Sequence, residues 1–197
     1  MPPAAIKTIR DLIYWQYSKI ISDSAGFGKK NWGFVMDRFK KLQQEEIFWN
    51  EIREYVKERE KKDECIFCGL KGNLTMEHLF PKVLNGPNDE KNIIWLCTTC
   101  NSSKGKRRLY ELWTIRSGLK GAKYDVPRIA EGKYLKLLYE TFIDKGMLDI
   151  NTEKLKHAIC PECDIKLLCI KEKSVEKLSP LCLDGIATLC FLGKSDL

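Results

Sequence analysis

The chain has 197 residues, 44% of them hydrophobic and 10% aromatic, and carries a formal net charge of +7. This composition suits a packed globular protein, either one ordinary domain or a small module with appendages. No apolar run approaches the roughly 20 residues of a membrane span, and the N-terminus lacks the pattern of a secretory signal. Nine cysteines without such a signal predict metal ligands over disulfides, a cytoplasmic location and no membrane partner.

The positive charge is concentrated in one segment of the chain. Residues 102–133 carry nine Lys or Arg against three Asp or Glu, a net +6, whereas residues 65–101 are balanced. A basic segment of this kind is the electrostatic footprint of a surface that holds phosphates. Taken alone, a charge run of this kind favours a solvated basic helix. Its position beside the motif described below favours a nucleic-acid partner.

Two helices are predicted before that motif. Residues 4–22 carry apolar side chains at helical spacing, and residues 32–62 resume this spacing with a break near residues 43–46. The glycine-containing stretch 22–28 is predicted to be a turn, because no P-loop lysine and serine follow its glycines. The second helix alternates Arg, Glu and Lys on its polar face, which favours a structural scaffold.

Residues 65–107 contain the pattern on which the functional prediction rests. Two Cys-x-x-Cys pairs bracket the dipeptide Glu77-His78, Asn92 lies between the pairs, and Asn101 follows the last cysteine. Two such pairs are the usual ligand set of a structural zinc, a closed tetrahedral site. The four predicted zinc ligands are Cys65, Cys68, Cys97 and Cys100. A module this small buries little core, so the metal is expected to supply much of its folding energy.

Secondary structure within this segment is predicted to be two strands and a helix. The strands are expected at residues 73–79 and 92–96, joined by a long loop that contains Pro81, Gly86 and Pro87. Residues 98–117 are expected to form one helix. The two cysteine pairs would then clip the entry of the first strand to the start of the helix.

Four elements follow one another in a fixed order: Cys65-Ile-Phe-Cys68-Gly69, Glu77-His78-Leu-Phe-Pro81, Asn92, and Leu96-Cys97-Thr-Thr-Cys100-Asn101-Ser-Ser-Lys104-Gly105. This order and its gaps resemble the HNH nucleases, the zinc-bracketed branch of the ββα-metal (His-Me finger) fold. The resemblance covers about a fifth of the chain. Glu77 stands where aspartate is more frequent in the family, and Asn101 replaces the final histidine.

The resemblance implies a metal-dependent endonuclease that hydrolyses phosphodiester bonds in DNA. Glu77 and Asn101 would bind a catalytic Mg²⁺ or Mn²⁺ through oxygen. His78 would be the general base that deprotonates the attacking water, and Asn92 would hold the loop and orient the histidine. The residues that would contact phosphate are Lys104, Lys106, Arg107 and Arg108. The same pattern permits an RNA-directed nuclease, or a zinc-stabilised nucleic-acid-binding module without catalysis.

A second cysteine group lies near the C-terminus, beyond a predicted connection at residues 117–133 and a predicted helix at residues 134–148. Its members are Cys160, Cys163, Cys169, Cys182 and Cys190, with His157 close in sequence. The first three resemble the end of the four-cysteine iron–sulfur loop of helix–hairpin–helix DNA glycosylases. The cysteine that those proteins carry upstream is not present here. A [4Fe-4S] cluster, a second Zn²⁺ and a metal-free buried group all remain open.

We therefore expect an α-rich α+β protein built around a ββα-metal module with a structural zinc. The expected regions are an N-terminal helical region at residues 1–63, the nuclease module at residues 64–117, and a basic connection with a cysteine-rich helical region at residues 118–197. The apolar periodicity of the N-terminal helices is also compatible with a homodimer interface.

Overall fold

The computed structural model describes residues 4–48, 60–120, 126–171 and 178–193. Within these ranges the fold consists of helices and a two-stranded antiparallel sheet, so the predicted α-rich α+β class is confirmed. Across the same ranges, no helix combines the length and the apolar character that crossing a membrane requires.

The first helix, α1, spans Ile9–Ser24 and is central to the core. Thr8 caps its start by accepting the N–H of Asp11, while the Asp11 carboxylate accepts the N–H of Thr8, a reciprocal capping box. Most side chains of α1 are buried on all sides, which is typical of a helix enclosed by its own chain. The helix predicted at residues 4–22 is confirmed, with a later start and end.

The second helix, α2, spans Trp32–Gln43 and packs on α1. Its buried stripe consists of Val35, Phe39 and Leu42, at the i, i+4 and i+7 positions of one helix face. The helix ends where the break near residues 43–46 was predicted. Residues 49–59, which belong to the predicted continuation to residue 62, lie outside the described residues.

The sheet consists of β1, Leu74–His78, and β2, Ile93–Cys97, and both predicted strands are confirmed. Glu77 pairs with Ile94 and His78 with Ile93 in an antiparallel register. A short 3-10 turn, Lys82–Leu84, lies in the connecting loop. Helix α3, Thr98–Lys104, follows β2 directly and contacts both strands, which completes a ββα unit.

The prediction of one helix over residues 98–117 is wrong. Helix α3 ends at Lys104 because Gly105 adopts a positive φ of 50° with ψ of −131°, a conformation that interrupts a helix. Helix α4 then begins anew at Leu109 and continues to Lys120. The Glu111 carboxylate accepts the N–H of Arg108 at 3.2 Å and satisfies one donor at this new start.

The boundary of the next helix also differs from the prediction of a connection over 117–133 and a helix over 134–148. Helix α5 spans Arg128–Asp144, because Pro127 supplies a preset φ of −56° just before its first turn. It ends before Gly146, whose φ of 65° stops the helix. Residues 121–125 of the predicted connection lie outside the described residues.

The C-terminal region is built from short helical pieces and one longer helix. Helix α6, Thr152–Lys154, leads into a π-helical turn, Leu155–Ile159, and a 3-10 turn, Cys160–Glu162. Helix α7 spans Lys166–Lys171, and helix α8 spans Pro180–Phe191. Helix α8 is buried along most of its length and contacts α1, α4 and α5.

One cluster of buried side chains draws on all three regions predicted from the sequence. Helices α1, α5 and α8 supply much of it, and Leu79, Phe80, Ile94 and Leu96 add the ββα unit to the same core. The ring of Phe80 also lies against that of Phe191 at the end of α8, with centroids 4.6 Å apart. The ββα unit is thus attached to the helical body by buried apolar contacts. The division into separate domains stays a prediction.

Candidate active site and metal centre

The four cysteines of the motif come together around a single point. The sulfur atoms of Cys65, Cys68, Cys97 and Cys100 all lie within 4.8 Å of one another, and the Cys68 and Cys97 sulfurs are 3.7 Å apart. Tetrahedral zinc with Zn–S bonds of about 2.3 Å places its sulfur ligands about 3.8 Å apart. The donor set and its spacing therefore fit one zinc ion.

Local backbone structure explains how the two pairs meet. The first pair lies on a turn closed by the Gly69 N–H, which donates to the Cys65 carbonyl at 2.8 Å. The Ile66 N–H donates to the Trp95 carbonyl at 3.0 Å, which ties this turn to β2. Cys97 is the N-cap of α3, and its sulfur accepts the N–H of Cys100 at 3.4 Å. The metal centre thus joins a turn, a strand end and a helix start.

The thiols of this cluster differ in their readiness to ionise. Burial opposes the charged form of Cys65, but N–H donors from Cys97, Cys68 and Phe67 more than offset it and lower its pKa to about 7. Burial and the neighbouring cysteines raise the pKa of Cys100. Four thiolates so close together require a cation, which matches the predicted zinc.

Glu77 and Asn101 border the same space, between the sheet and α3. The Glu77 carboxylate lies 3.7 Å from the ammonium of Lys104, and the Asn101 amide donates to the Thr75 hydroxyl at 3.1 Å. Thr75 and Glu77 share a face of β1 because side chains alternate along a strand, and Asn101 and Lys104 share a face of α3. The structure therefore brings the two predicted metal ligands to one side of the sheet.

His78 belongs to the other face of the strand by the same alternation. The backbone N–H of His78 donates to the Glu77 carboxylate at 2.9 Å. The ring Nε2 of His78 lies 2.9 Å from the Asn88 side-chain oxygen. An amide oxygen can only accept, so this contact is a hydrogen bond in the tautomer that carries the proton on Nε2, and that tautomer has the lone pair on Nδ1. Asn88 is an exposed residue of the β1–β2 loop. It was not predicted as a site residue, because its distance in sequence from the motif residues does not indicate a role.

Asn92 holds the β1–β2 loop rather than the histidine ring. It is fully buried; its side-chain oxygen accepts the N–H of Phe80 at 2.7 Å. Its amide donates to the carbonyls of Phe80 and Pro87 at 2.9 and 2.8 Å. Asn92 therefore fixes the loop that presents Asn88 to His78, so its influence on the histidine is indirect.

Two of the four predicted phosphate-binding residues are buried, contrary to expectation. Lys104 is 1% exposed, and burial lowers the pKa of its amine against the opposing effect of Glu77. Arg108 is 3% exposed and donates to Glu111, Asp164 and Thr188 at 3.0, 2.8 and 2.5 Å. Burial opposes the charge of Arg108, but these acids and Asp184 raise its pKa. Both cations are paired with carboxylates of the same chain, whereas Lys106 and Arg107 are exposed.

The C-terminal cysteines are arranged differently from the first group. None of them forms a disulfide, and among the described residues only the four motif cysteines form a group that could hold a metal ion. Three of the others, Cys160, Cys163 and Cys182, nevertheless lie near enough to Cys169 to contribute to the raised pKa of its thiol. Cys190 lies eight residues beyond Cys182 on α8, about 12 Å along the helix axis, and His157 is exposed.

Comparison with known proteins identifies the segment that carries this geometry. Residues 65–107 match the family model described as HNH endonuclease. Neither the search of curated proteins nor the search of solved structures found a match for the chain. The matched segment contains the sulfur cluster and the Glu77-His78 strand, which indicates a nuclease or a nucleic-acid-binding role.

Proposed function

We propose that this protein is a metal-dependent endonuclease that hydrolyses phosphodiester bonds in DNA. The observation that carries the proposal is the arrangement at the end of β1. Glu77 and Asn101 border one space beside α3, and the adjacent His78 has its Nε2 hydrogen-bonded to Asn88. A carboxylate that can bind a cation, next to an imidazole that can take a proton from water, supports hydrolysis of a phosphodiester.

Glu77 and Asn101 would hold Mg²⁺ or Mn²⁺. Their donors are a carboxylate and an amide oxygen, the hard ligands that these ions prefer over zinc. The Glu77 side chain is 26% exposed, so a cation can approach it from solvent. When bound, the ion would neutralise charge on the phosphate and on the leaving oxygen.

His78 would act as the general base. With Nε2–H held by Asn88, its Nδ1 can take a proton from the water that attacks phosphorus. The water oxygen then forms the new P–O bond, and the bond to the leaving oxygen breaks. Asn92 would contribute by fixing the loop, and Lys106 and Arg107 by holding neighbouring phosphates.

The zinc would be structural in this account. Four sulfurs close the site and leave no position for water or substrate. Its role would be to fix the end of β2 and the start of α3, and so to hold Asn101 opposite Glu77.

A second candidate is a zinc-stabilised nucleic-acid-binding module without catalysis. The Lys104 ammonium, 3.7 Å from Glu77, favours this alternative, because it already compensates the carboxylate that would bind the catalytic ion. An RNA substrate is a variant of the first proposal, since the phosphodiester linkage is common to both polymers.

A homodimer is a further proposal, since two chains would place two active sites on opposite DNA strands. Helix α1 is enclosed by its own chain, so α2 and the loop before it, with Phe27 and Trp32 each 54% exposed, would supply the contact. A monomeric mass in solution at working concentration would remove this proposal.

Cleavage of supercoiled plasmid, single-stranded DNA and RNA tests the proposed function. The wild-type chain should nick plasmid with Mg²⁺ or Mn²⁺ and stop when EDTA is added. Glu77→Gln should keep its zinc and bind DNA but require more Mg²⁺ and cut far more slowly, by about 100-fold or more. Retardation of plasmid without cutting any substrate would favour the binding module, and cutting confined to RNA would correct the substrate.

A further inference from the structure

Lys104, the last residue of α3, carries a charge that is almost completely enclosed. Its side chain is 1% exposed, yet within the described residues its ammonium makes only long polar contacts. It lies 3.7 Å from the Glu77 carboxylate and donates to the Gly105 carbonyl at 3.4 Å. A buried ammonium needs a counter-charge, because leaving it unpaired is costly. Glu77 is the acid in contact with Lys104 that serves this purpose.

The pair of Lys104 and Glu77 leaves little charge for a bound cation. Glu111 is also near enough to act on Lys104, but its carboxylate is paired with Arg108 at 3.0 Å. The charges of Glu77 and Lys104 cancel, and Asn101, the other proposed ligand, is neutral. These three side chains together therefore give the space beside α3 no net charge.

The same pair orients the Glu77 carboxylate. Its Oε1 faces Lys104 and also accepts the backbone N–H of His78 at 2.9 Å. Within the part of the chain that the structure describes, Oε2 makes no hydrogen bond, and the side chain is 26% exposed. One oxygen of Glu77 is thus held by the protein, and the other is available to a ligand from solvent.

Hydrogen bonds also define which end of the Asn101 amide is available. A carbonyl can only accept, so the Thr75 hydroxyl donates its proton to the Leu96 carbonyl at 3.3 Å. Thr75 can then only accept from Asn101, whose amide nitrogen lies 3.1 Å away. The amide oxygen of Asn101 is left without a hydrogen-bond partner among the described residues. It can bind a hard cation, but it adds no negative charge.

A divalent cation that enters this space alone would meet an ammonium of like charge. Lys104 already lies 3.7 Å from the carboxylate that would bind the ion, and like charges repel strongly where water is excluded. Oxygen sites gain affinity with the number of charged ligands, and Mg²⁺ is commonly bound through one or two carboxylates together with substrate phosphates. A phosphate of the nucleic acid would supply the missing negative charge and further oxygen ligands.

We propose that Lys104 keeps the cation site of the free protein largely empty, so that the catalytic ion is bound together with a phosphate of the nucleic acid. Lys104 acts through its charge on Glu77, and it is therefore a positioning residue. The inference rests on the proposed function, because it takes Glu77 and Asn101 as the ligands of the ion. It gives the buried ion pair a role in the nuclease.

Binding of Mn²⁺, followed by the electron paramagnetic resonance signal of the free ion, tests this inference without a cleavage assay. Every protein carries zinc and the substitution His78→Ala, so that a short DNA duplex stays intact. This parent chain should bind Mn²⁺ weakly alone and at least about 10-fold more tightly with the duplex. By linkage, Mn²⁺ should raise the affinity for the duplex by the same factor. Adding Glu77→Gln to the parent measures the Mn²⁺ that binds elsewhere on the protein or on the DNA.

Lys104→Met removes the charge and nearly keeps the length of the side chain. It should tighten the binding of Mn²⁺ to the free protein by about 10-fold, whereas loss of a merely structural lysine would leave this affinity unchanged or weaken it. The effect of the duplex should persist, because it comes from the phosphate. Lys106→Met, the matched control, changes an exposed lysine and should weaken duplex binding with little effect on Mn²⁺ in the free protein. Zinc content shows whether each variant has folded.

The possible results separate this inference from the proposed function. Binding of Mn²⁺ at Glu77 that is equally tight with and without the duplex would overturn the inference and leave the proposed function intact. Equal Mn²⁺ affinities of Lys104→Met and its parent would overturn the role of Lys104. If no Mn²⁺ binding depended on Glu77, even with the duplex, the proposed function itself would be overturned. The first and last of these results come from chains that retain Lys104, so they hold even if Lys104→Met fails to fold.

Discussion

The orientation of the His78 ring depends on Asn88, a residue of the β1–β2 loop. In the tautomer with the proton on Nε2, the Asn88 oxygen accepts from that nitrogen, which would leave Nδ1 for the proposed reaction. Without that contact the ring can rotate and change tautomer. At this scale the proposed chemistry rests on one hydrogen bond made by an exposed side chain, which the sequence pattern did not single out.

Asn88→Ala should therefore lower kcat by about 10-fold, a part of the 10²–10⁴ that a general base contributes, with KM little changed. Asn88→Asp keeps an acceptor and should recover part of the rate. Zinc content reports whether the fold has survived. An Asn88→Ala chain with wild-type kcat would show that the ring needs no such partner.

The exposed pair Lys106 and Arg107 should account for phosphate binding, since Lys104 and Arg108 are buried. Lys106→Ala combined with Arg107→Ala should weaken DNA binding for all sequences and reduce the salt slope of log K by about 2. Lys40→Ala, an exposed lysine of α2, is the matched control. An unchanged slope in the double variant would place the phosphate contacts elsewhere.

Burial of Lys104 and Arg108 marks a limit of the sequence at this scale. Four positively charged residues lie within five positions, and the sequence alone does not distinguish the buried from the exposed ones. Their charge predicts that all four share one surface. The break at Gly105 and the pairing with Glu77, Glu111 and Asp164 separate them in space. Those partners lie up to 56 residues away, so spacing alone cannot assign them.

The ββα unit is the element that a zinc ion at the four motif cysteines would hold together. The ion would join a turn, the end of β2 and the start of α3. Removing zinc with a strong chelator should lower the free energy of unfolding by about 4 kcal/mol when zinc was present at a thousandfold its Kd. Cleavage should be lost with it.

Restoring Mg²⁺ alone should not recover cleavage after that treatment, whereas restoring Zn²⁺ and Mg²⁺ together should. The loss should also appear on acidification, because each thiolate ligand must take up a proton as zinc leaves. Thermal unfolding and metal content measured on the same sample provide the check. Full activity in zinc-free protein would contradict a structural role.

The strands of this unit and its cluster of four cysteines were predicted from the sequence, but the positions of the helix ends were predicted less well. Both strands were predicted within a residue or two, and the resemblance of the segment to the ββα-metal fold implied them. The helix after Cys100 was predicted as continuous, since Gly105 alone does not reveal that it will adopt a positive φ. The lysines and glycines before residue 134 indicated a connection, so the start of α5 directly after Pro127 was not predicted.

The whole molecule is held by a core that also contains paired polar groups. Glu131 on α5 is buried, accepts from the Tyr110 hydroxyl at 3.2 Å and pairs with Lys29 at 3.2 Å. Burial raises the pKa of its carboxyl, and Lys29 and Tyr110 only partly oppose this. A glutamate of this kind links the loop after α1 with α4 and α5.

Stability should accordingly depend on the pH through Glu131. A raised folded pKa contributes stability that is fully present below the unfolded value of about 4.3 and is lost as pH rises through the folded value. Glu131→Gln abolishes this titration, so the wild type should lose free energy of unfolding relative to the variant as pH rises, by about 1.4 kcal/mol per unit of pKa shift. Urea unfolding across the pH range checks this, and parallel curves for the two proteins would contradict it.

The two histidines of the chain permit the most direct test of the proposed activity. His78 lies on β1, and His157 is exposed in the C-terminal region, so His78→Ala and His157→Ala form a matched pair. The measurement is nicking of supercoiled plasmid with Mg²⁺ or Mn²⁺, with zinc content determined for each protein. We expect wild type and His157→Ala to cut, and zinc-replete His78→Ala to be slower by at least about 100-fold. Equal cutting by all three would contradict the assignment of His78 as the general base.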